Sequence, residues 1–502
     1  MHVASSGRGG LFDYSSKLPR SKFYKIFLEV QLMLKKTKII CTQGPATDAP
    51  GVIEGLIANG MNAARFNFSH GDHAGHKKRI DAVKAAAKAT GKIISLILDT
   101  KGPEMRLGEF KDGAVQLVEG NKFTLVNADI LGDETQATVT HKLLYTEVKV
   151  GDKLLLNDGL VELRIDEIKD KDIYTTILNS GKMSSRKRVA APGVALGLPA
   201  ISEQDEKDIL FGIENDMDFV AASFIQRAAD VEALRKLITD NGGHMEIISK
   251  IENLEGVKNI DEIIAASDGI MVARGDLGVE IPAEDVPIIQ KDIIKKCNAV
   301  GKPVVVATQM LESMTVNPRP TRAEVSDVGN AILDGADVIM LSGETAGGKY
   351  PVEAAAMMKQ IATRIEESLE YKDIFLQKGM HRKNSHTDAI AHATVQLGYE
   401  LSAKAIITPT RSGYTTRVVS KYKPKAPIIA FTPDNQVARH LNLRWGVYPI
   451  PGTPWLDIVQ MIDYSSASAL EKGFVEKGDL VILTAGMKYG EGGTSSIRLH
   501  TI

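Results

Sequence analysis

Eight short apolar runs, most of them separated by stretches with helical periodicity, constrain the fold of this chain more than any other feature. The runs are Lys38–Thr42, Ala63–Ser69, Ile93–Thr100, Phe219–Phe224, Glu246–Glu252, Gly269–Asp276, Pro303–Thr308 and Val338–Glu344. The intervening patterns include Val52–Ala58, Ile80–Ala87 and Asp230–Ile238, each amphipathic at a helical period. Alternation of strand and helix over eight units predicts a (β/α)8 TIM barrel rather than an open sheet.

Polar residues collect at one end of these runs. Six runs stay apolar until their last residues and then end in Arg65, Asn67, Ser69, Asp99, Thr100, Lys250, Glu252, Arg274, Gly275, Asp276, Thr308, Gln309, Ser342 and Glu344. Active sites of such barrels lie at the C-terminal ends of the strands. We therefore expect these side chains to meet in one site.

One interval is too long to be a single helix. Residues 104–196 are rich in β-branched residues, Gly and Asp, with alternating patterns at Ala114–Leu117 and Leu160–Ile165. We expect an inserted β-barrel-like domain on the active-site side, a lid that excludes water from substrate. A passive surface insertion is the alternative.

The strand and helix alternation of the barrel stops after Tyr371, and a new α/β pattern begins. Helix Ala389–Leu401 and the strands Ala405–Thr408, Ile428–Phe431 and Leu480–Thr484 predict a smaller C-terminal α/β domain. The expected organisation is an N-terminal extension (1–33, a tag or an upstream segment, with Met33 as the natural start), barrel (34–103), lid (104–196), barrel (197–371) and C-terminal domain (372–502).

Composition excludes several classes of protein. The 502 residues carry 61 basic and 63 acidic side chains, so no excess positive field is available for nucleic acid or an anionic membrane. No apolar run approaches the ~20 residues that span a bilayer. The two cysteines, Cys41 and Cys297, are far apart, which excludes a disulfide framework and a Cys-type zinc site and favours a cytoplasmic location.

Glu252 and Asp276 are carboxylates at adjacent strand ends, a ligand type that suits Mg²⁺ or Mn²⁺ with substrate oxygens completing the shell. Lys250 lies two residues before Glu252, so both side chains share one strand face, where a lysine can neutralise a phosphoryl group in transfer. Arg65 is a possible phosphate clamp. Either carboxylate taken alone favours a salt-bridged barrel acid, whereas the two together beside Lys250 and Gly275 favour the metal site. Arg65 taken alone is equally compatible with a structural ion pair.

A second cluster contains only oxygen ligands: Asn67, Ser69, Asp99 and Thr100. Its single formal charge favours a monovalent ion over a dication. Thr308 is the small hydroxyl at the seventh strand end, where it would join a proton relay or satisfy a strand-end carbonyl. The segment Gly343–Lys349 begins like a phosphate-binding loop, but Tyr350 stands where Ser or Thr should bind magnesium, which excludes a P-loop NTPase.

Taken together these segments resemble the pyruvate kinase family. The resemblance rests on residues 247–257 (IISKIENLEGV), 65–71 (RFNFSHG), 98–106 (LDTKGPEMR), 271–282 (MVARGDLGVEIP), 307–314 (ATQMLESM) and 341–355 (LSGETAGGKYPVEAA). It implies transfer of phosphate from phosphoenolpyruvate to ADP, yielding pyruvate and ATP.

The resemblance also implies residue roles. Lys250 would stabilise the transferring phosphoryl, Glu252 and Asp276 would hold Mg²⁺, and Gly275, Asp276 and Thr308 would contact phosphoenolpyruvate. Asn67, Ser69, Asp99 and Thr100 would bind K⁺, and Arg65, Arg106 and Lys187 would meet nucleotide phosphates. Glu104 stands where K⁺-dependent members of the family carry glutamate, so we expect K⁺ dependence.

The C-terminal domain resembles the effector domain of the same family. A phosphorylated effector would bind the loop formed by Thr410, Arg411, Ser412, Gly413 and Thr415, with Trp445 and Gly490–Gly493 as neighbours. The family resemblance also implies a homotetramer.

Two other functions remain open from the residues alone. A magnesium-dependent, enolate-stabilising barrel lyase would share Glu252 and Asp276, and a catalytically silent sugar-phosphate sensor would need only the loop at Thr410. The lyase needs neither an ADP-binding lid nor a K⁺ cluster, and the sensor would have lost its barrel site residues.

Overall fold

The structure is a computed structural model that describes residues 34–157, 159–380, 384–486 and 493–502. The predicted extension (1–33) and most of the expected Gly490–Gly493 neighbour lie outside the described residues.

The strands fall into four groups along the chain. Three precede the insertion: β1 Lys38–Thr42, β2 Ala63–Asn67 and β3 Ser95–Asp99. Eight belong to it: β4 Ala114–Leu117, β5 Lys122–Val126, β6 Gln136–Thr138, β7 Lys153–Leu156, β8 Val161–Lys169, β9 Asp172–Ile177, β10 Gly181–Ser184 and β11 Val189–Ala190. Five follow it: β12 Phe219–Ala222, β13 Glu246–Ile251, β14 Gly269–Ala273, β15 Val304–Ala307 and β16 Val338–Leu341. The last five are β17 Ala405–Pro409, β18 Ile428–Thr432, β19 Val447–Pro451, β20 Leu480–Gly486 and β21 Thr494–Thr501.

The described helices surround and connect these strands. They are α1 Val52–Ala58, α2 His73–Thr90, α3 Leu144–Glu147, α4 Glu203–Glu214, α5 Ala228–Asp240, α6 Leu254–Lys258, α7 Ile260–Ala266, α8 Arg274–Glu280, α9 Val286–Val300, α10 Arg322–Asp334, α11 Gly343–Ala346, α12 Pro351–Ser368, α13 Tyr371–Gly379, α14 His386–Glu400, α15 Tyr414–Ser420, α16 Asn435–Leu441 and α17 Ile458–Glu471. Among the described residues, no helix combines the length and the apolarity needed to cross a membrane.

The predicted TIM barrel is confirmed. Strands β1, β2, β3 and β12 to β16 close in the order β1-β16-β15-β14-β13-β12-β3-β2, with every pair parallel. The strands are buried on both faces, as expected for a parallel sheet covered by helices, which is why they read as Ile- and Val-rich runs. Phe219, Ile248, Met271 and Met340 are among the side chains that fill the interior.

The ends of several predicted strands were wrong. Strand β14 ends at Ala273, so Asp276 lies in the first turn of α8, and β16 ends at Leu341, so Glu344 lies in α11. The side chains remain at the C-terminal mouth of the barrel because each helix begins at once beyond its strand. The apolar pattern continues across such a short junction, so the sequence does not show where the strand ends and the helix begins.

The insertion folds as β sheets with their own core. One sheet has the order β11-β7-β8-β9-β5-β6, and β10 pairs with β4. Phe123, Leu154, Leu163 and Ile173 are among the buried residues of this core. We call residues 104–196 the lid.

The C-terminal domain is a five-stranded sheet of order β19-β18-β17-β20-β21, in which only β21 is antiparallel. Leu443 from this domain packs among the side chains of the barrel interior. Several ion pairs join the domain to the barrel near the starts of its strands. In two of them Arg417 Nη1 lies 2.8 Å from Glu246 Oε1, and Arg439 Nε lies 2.6 Å from Asp218 Oδ1. The C-terminal domain therefore contacts the end of the barrel opposite the polar strand ends.

Candidate active site

Lys250 is held at the end of β13 by three oxygen atoms. Its Nζ lies 3.1 Å from Asp99 Oδ1, 2.8 Å from Ser223 Oγ and 2.9 Å from Glu252 Oε1. Burial alone would lower the pKa of Lys250, but the carboxylates of Asp99 and Glu252 outweigh burial and raise the pKa above its ordinary value. The ammonium is therefore a permanent, preorganised positive charge.

Glu252 follows β13 and is fully buried. Its Oε2 accepts a 2.6 Å hydrogen bond from the Phe224 amide, whose residue adopts φ 58°. Its Oε1 lies beside the Lys250 ammonium but outside hydrogen-bonding geometry, and it has no hydrogen-bond partner. Burial, opposed by Lys250 and reinforced by Asp276, raises the pKa of Glu252 to about 7. A buried oxygen without a hydrogen-bond partner, on a carboxylate that is costly to ionise, fits a ligand for a hard cation.

Asp276 supplies the second carboxylate from the first turn of α8. Its Oδ1 forms an ion pair with Nη1 of Arg188, a lid residue. Arg188 Nη2 also lies 4.0 Å from Glu280 Oε1. In the described part of the chain no three His, Cys, Asp or Glu side chains form a metal-binding group. Asp276 interacts electrostatically with Glu252, and a pair of carboxylates suits a cation that takes its remaining ligands from water and substrate.

Thr308 lies one residue beyond β15 in a left-handed backbone conformation, φ 69°, which is unfavourable for a β-branched residue. Its Oγ accepts a 2.8 Å hydrogen bond from the Gly275 amide and donates to the Ala307 carbonyl at 2.6 Å. Arg274 Nη2 donates to the Thr308 carbonyl at 2.6 Å. These bonds fix the hydroxyl against the start of α8, next to Asp276.

The oxygen-rich cluster is brought together only in part. Asn67 and Asp99 are register partners on β2 and β3, and Thr100 follows Asp99. Asp99 Oδ2 lies 2.6 Å from Arg65 Nε, so the carboxylate already serves two cations, Arg65 and Lys250. Ser69 is exposed, with its amide bonded to Asn67 Oδ1 at 3.1 Å.

The residues expected to meet nucleotide phosphates come from two elements. Arg65 is buried beside Asp99, whereas Arg106 lies in the lid with its Nε 2.9 Å from Glu104 Oε2. Lys187 precedes Arg188 in the lid, and its side chain forms no hydrogen bond or ion pair within the described residues.

Sequence reasoning missed three residues of this site. Ser223 links Lys250 to the Thr100 carbonyl, Phe224 presents its amide to Glu252, and Arg188 reaches Asp276 from the lid. Ser223 and Phe224 stand at the end of the fourth predicted run, so the strand-end argument could have included them. Arg188 is one of three consecutive basic residues, and nothing in that run marks which of the three turns inward.

The predicted effector loop joins β17 to α15. The Gly413 amide donates to Thr410 Oγ1 at 2.9 Å, and Gly413 has φ 77°, a conformation that favours glycine. Thr415 Oγ1 lies 2.6 Å from Thr494 Oγ1.

The tryptophan beside this loop is not the one expected. Arg411 stacks on Trp455, with 5.3 Å between guanidinium and ring centroid, and donates to the Trp455 carbonyl at 3.1 Å. Trp445 is instead buried against Tyr371 and Lys423. The expectation for Trp445 came from the family resemblance, and a sequence motif does not report the direction of a distant side chain.

Comparison with known proteins accounts for this arrangement. Residues 34–355 match the family model for the pyruvate kinase barrel domain, and residues 388–500 match the model for the pyruvate kinase alpha/beta domain. The chain is 50% identical over 474 residues to a pyruvate kinase of Geobacillus stearothermophilus, covering 94% of this chain and 81% of that protein. It is 49% identical over 466 residues to one of Clostridium acetobutylicum, covering 92% and 98%.

A solved structure leads to the same conclusion. The crystal structure of a pyruvate kinase from Cryptosporidium parvum superimposes with a TM-score of 0.89 at 40% identity, covering 93% of this chain and 96% of that one. Two domain models, relatives near half identity and a close structural match agree with the geometry of the barrel mouth, and this chain belongs to the pyruvate kinase family.

Proposed function

We propose that the site at the barrel mouth transfers the phosphoryl group of phosphoenolpyruvate to ADP, giving pyruvate and ATP. The observation that carries this proposal is the buried contact between Lys250 Nζ and Glu252 Oε1, with Asp276 just beyond the neighbouring strand β14. Phosphoryl transfer depends chiefly on positioning and on charge placed before the reaction. The fixed ammonium of Lys250 would neutralise the phosphoryl oxygens in transfer without reorganisation.

A divalent cation fits Glu252 and Asp276. The hard carboxylate oxygens of Glu252 and Asp276 favour Mg²⁺ or Mn²⁺ over softer metals. When bound, the cation supplies positive charge to the substrate oxygens. The chain's own contribution is to hold the buried carboxylate of Glu252 and the partly exposed carboxylate of Asp276 in place beforehand.

The second half of the reaction protonates the carbon of the pyruvate enolate. The Thr308 hydroxyl, held by the Gly275 amide and the Ala307 carbonyl, is our candidate for orienting the proton donor. Gly275 and Asp276 would meet phosphoenolpyruvate on the same side of the mouth, because both lie in the first turn of α8.

We further propose that K⁺ binds at Asn67, Ser69, Asp99 and Thr100 and that Arg65, Arg106 and Lys187 bind the phosphates of ADP. The pairing of Asn67 with Asp99 supports the K⁺ site. K⁺ binding there requires Asp99 to be shared with Arg65 and Lys250, which a monovalent ion tolerates better than a dication would.

A phosphorylated effector, a sugar phosphate or a nucleoside monophosphate, is our proposal for the loop formed by Thr410, Arg411, Ser412, Gly413 and Thr415. Arg417 supports a regulatory role because it joins this loop to the barrel. Its Nη2 donates to the Ser412 carbonyl at 2.8 Å, and its Nη1 lies 2.8 Å from Glu246 at the start of β13. Strand β13 carries Lys250 near its other end.

The remaining expectations are proposals as well. We propose domain limits of 34–103 and 197–371 for the barrel, 104–196 for the lid and 372–502 for the effector domain. The resemblance to the family supports a homotetramer, and the two free, buried cysteines fit a reducing cytoplasm.

A coupled assay tests the reaction. Purified enzyme with phosphoenolpyruvate, ADP, Mg²⁺ and K⁺ should form pyruvate, detected through NADH oxidation by lactate dehydrogenase, and ATP in equal amount. Pyruvate formation that does not require ADP would favour the lyase alternative. Absence of turnover with both ions present would overturn the proposal.

A further inference from the structure

Arg188 reaches the active site from the lid. Its side chain is only 10% exposed and forms an ion pair with Asp276. Its guanidinium lies 4.9 Å from the ring centroid of Phe224, the residue whose amide binds Glu252. An arginine that stacks on a ring and pairs with a carboxylate is held in one orientation.

The backbone of Arg188 ties this contact to the position of the lid. Its carbonyl accepts a 2.9 Å hydrogen bond from the Asn157 amide within the lid, and the next amide, of Val189, donates to the Met105 carbonyl at 2.8 Å. Met105 lies in the segment that follows β3 and leads from the barrel into the lid. The Asp276 pair thus connects this junction to the barrel mouth, and we expect its loss to loosen the backbone hydrogen bond of Val189.

The charges around Arg188 explain why it lies there. Asp276, Glu252, Glu280 and Glu104 all interact with it electrostatically. Buried carboxylates without a counter-charge are strongly unfavourable. A divalent cation held by Glu252 and Asp276 would bring positive charge to the same oxygens, where it and the guanidinium would repel each other.

We propose that Arg188 is a further residue of the active site, a lid-borne counter-cation that pairs with Asp276 until a divalent metal binds and is then displaced. The inference rests on the metal site proposed above. Metal loading and release of this lid contact are then one event, and the freed guanidinium faces the substrate space from the lid.

The affinity for a divalent metal, measured without substrates, tests whether the Arg188 guanidinium and the metal compete for Asp276. Free Mn²⁺ is counted by electron paramagnetic resonance during titration of the enzyme. Arg188→Gln removes the competing cation and should tighten Mn²⁺ binding by about tenfold, while Arg188→Lys, which keeps the charge, should lie closer to wild type. The matched control is Arg186→Gln, because Arg186 is an exposed lid arginine that pairs with Glu109 at the surface. Unchanged or weaker binding by Arg188→Gln would overturn the proposal.

A second measurement needs no variant and so does not depend on a variant's folding. Hydrogen exchange of the wild-type enzyme is followed with and without Mg²⁺, in the absence of substrates. Displacement of Arg188 by Mg²⁺ should speed exchange at the Val189 amide. This is the opposite of the usual effect of a bound ligand, which slows exchange of backbone amides. Protection of that amide by Mg²⁺ would contradict displacement.

Glu252→Gln, measured in the same Mn²⁺ titration, distinguishes failure of the proposed metal site from failure of the proposed role of Arg188. Loss of binding in Glu252→Gln together with no effect of Arg188→Gln refutes only the role of Arg188. Full Mn²⁺ binding by Glu252→Gln refutes the metal site itself, and the inference with it.

Discussion

Lys250 Nζ lies 3.1 Å from Asp99 Oδ1, so a lysine on β13 and a carboxylate at the end of β3 form a buried ion pair at the barrel mouth. Asp99 also binds Arg65, and Lys250 also meets Glu252. Because the strands end at one rim, residues more than 150 positions apart share charge in a single network.

Replacing Lys250 by methionine should lower kcat by at least about 10³-fold, because it removes the preorganised charge at the transferring phosphoryl. The lactate dehydrogenase-coupled assay measures the loss. Lys236→Met is the matched control, since Lys236 is an exposed lysine on α5 paired with Asp240. Retention of more than a tenth of wild-type kcat by Lys250→Met, at saturating substrates, would argue against its role.

Thr308→Val should lower kcat by about 10²-fold with little change in the KM for phosphoenolpyruvate, because it removes the hydroxyl but keeps the shape. The loss should appear in pyruvate formation together with a changed solvent isotope effect. Thr308→Ser retains the hydroxyl and should recover most activity. If Thr308→Val instead raises KM alone, the hydroxyl binds substrate and does not act in proton transfer.

Activity should require K⁺ and should be low when Na⁺ replaces it. Glu104→Lys should relax this requirement, because K⁺-independent members of the family carry lysine at this position. Steady-state rates across a K⁺ titration, for both enzymes at constant ionic strength, check this. Full wild-type activity in K⁺-free buffer would refute the K⁺ site.

Glu246→Gln should weaken activation by the effector while leaving the basal rate near that of wild type. The change weakens the pairs with Arg417 and Arg444 at the start of β13. We expect the fold-activation to fall at least about threefold.

The activator is first sought among fructose bisphosphate, hexose and pentose monophosphates and AMP. Asp216→Asn, which weakens a separate interdomain pair with Arg439, is the control. If none of these compounds activates wild type, the effector proposal fails; if one does and Glu246→Gln responds normally, only this connection fails.

The buried Lys35 should make the free energy of unfolding depend on pH. Burial lowers the pKa of Lys35 to about 8, against an opposing contribution from Glu366. Between that value and the ordinary pKa of lysine, the unfolded chain binds a proton that the folded chain does not, so stability from this group rises with pH and falls as pH drops towards 8.

The effect is isolated by comparing wild type with Lys35→Met in urea unfolding at about pH 7.5 and about pH 9.5. The wild type should gain stability relative to Lys35→Met at the higher pH. Lys372→Met, at an exposed lysine, should show a constant difference from wild type. A constant difference for Lys35→Met as well would contradict the prediction.

Sequence patterns anticipated most of the architecture. Strand β1 has the predicted bounds, the other barrel strands begin within two residues of the predicted positions, and α1 coincides with its predicted helix. Buried parallel strands must be apolar along their length and helices covering them must be amphipathic, so both leave a clear periodic signal.

The candidate site was predictable wherever its residues lie at the end of a strand or directly after it. Lys250, Glu252, Asp99 and Thr308 all lie at the barrel mouth because strand ends converge there whatever the side chains are. Local spacing could not place residues whose direction depends on a distant segment. For that reason Trp445 was expected beside the loop of Arg411, whereas the structure places Trp455 there.

The amino-acid sequence by itself therefore determined the barrel, the lid insertion and the set of polar residues at one rim, because these follow from local periodicity and chain order. Only the tertiary structure decided which of those residues touch. The sharing of Asp99 between Arg65 and Lys250, and the pairing of Arg188 with Asp276, depend on packing between segments far apart in the chain. Their energies arise from burial and close charge contact, which exist only once the chain has folded.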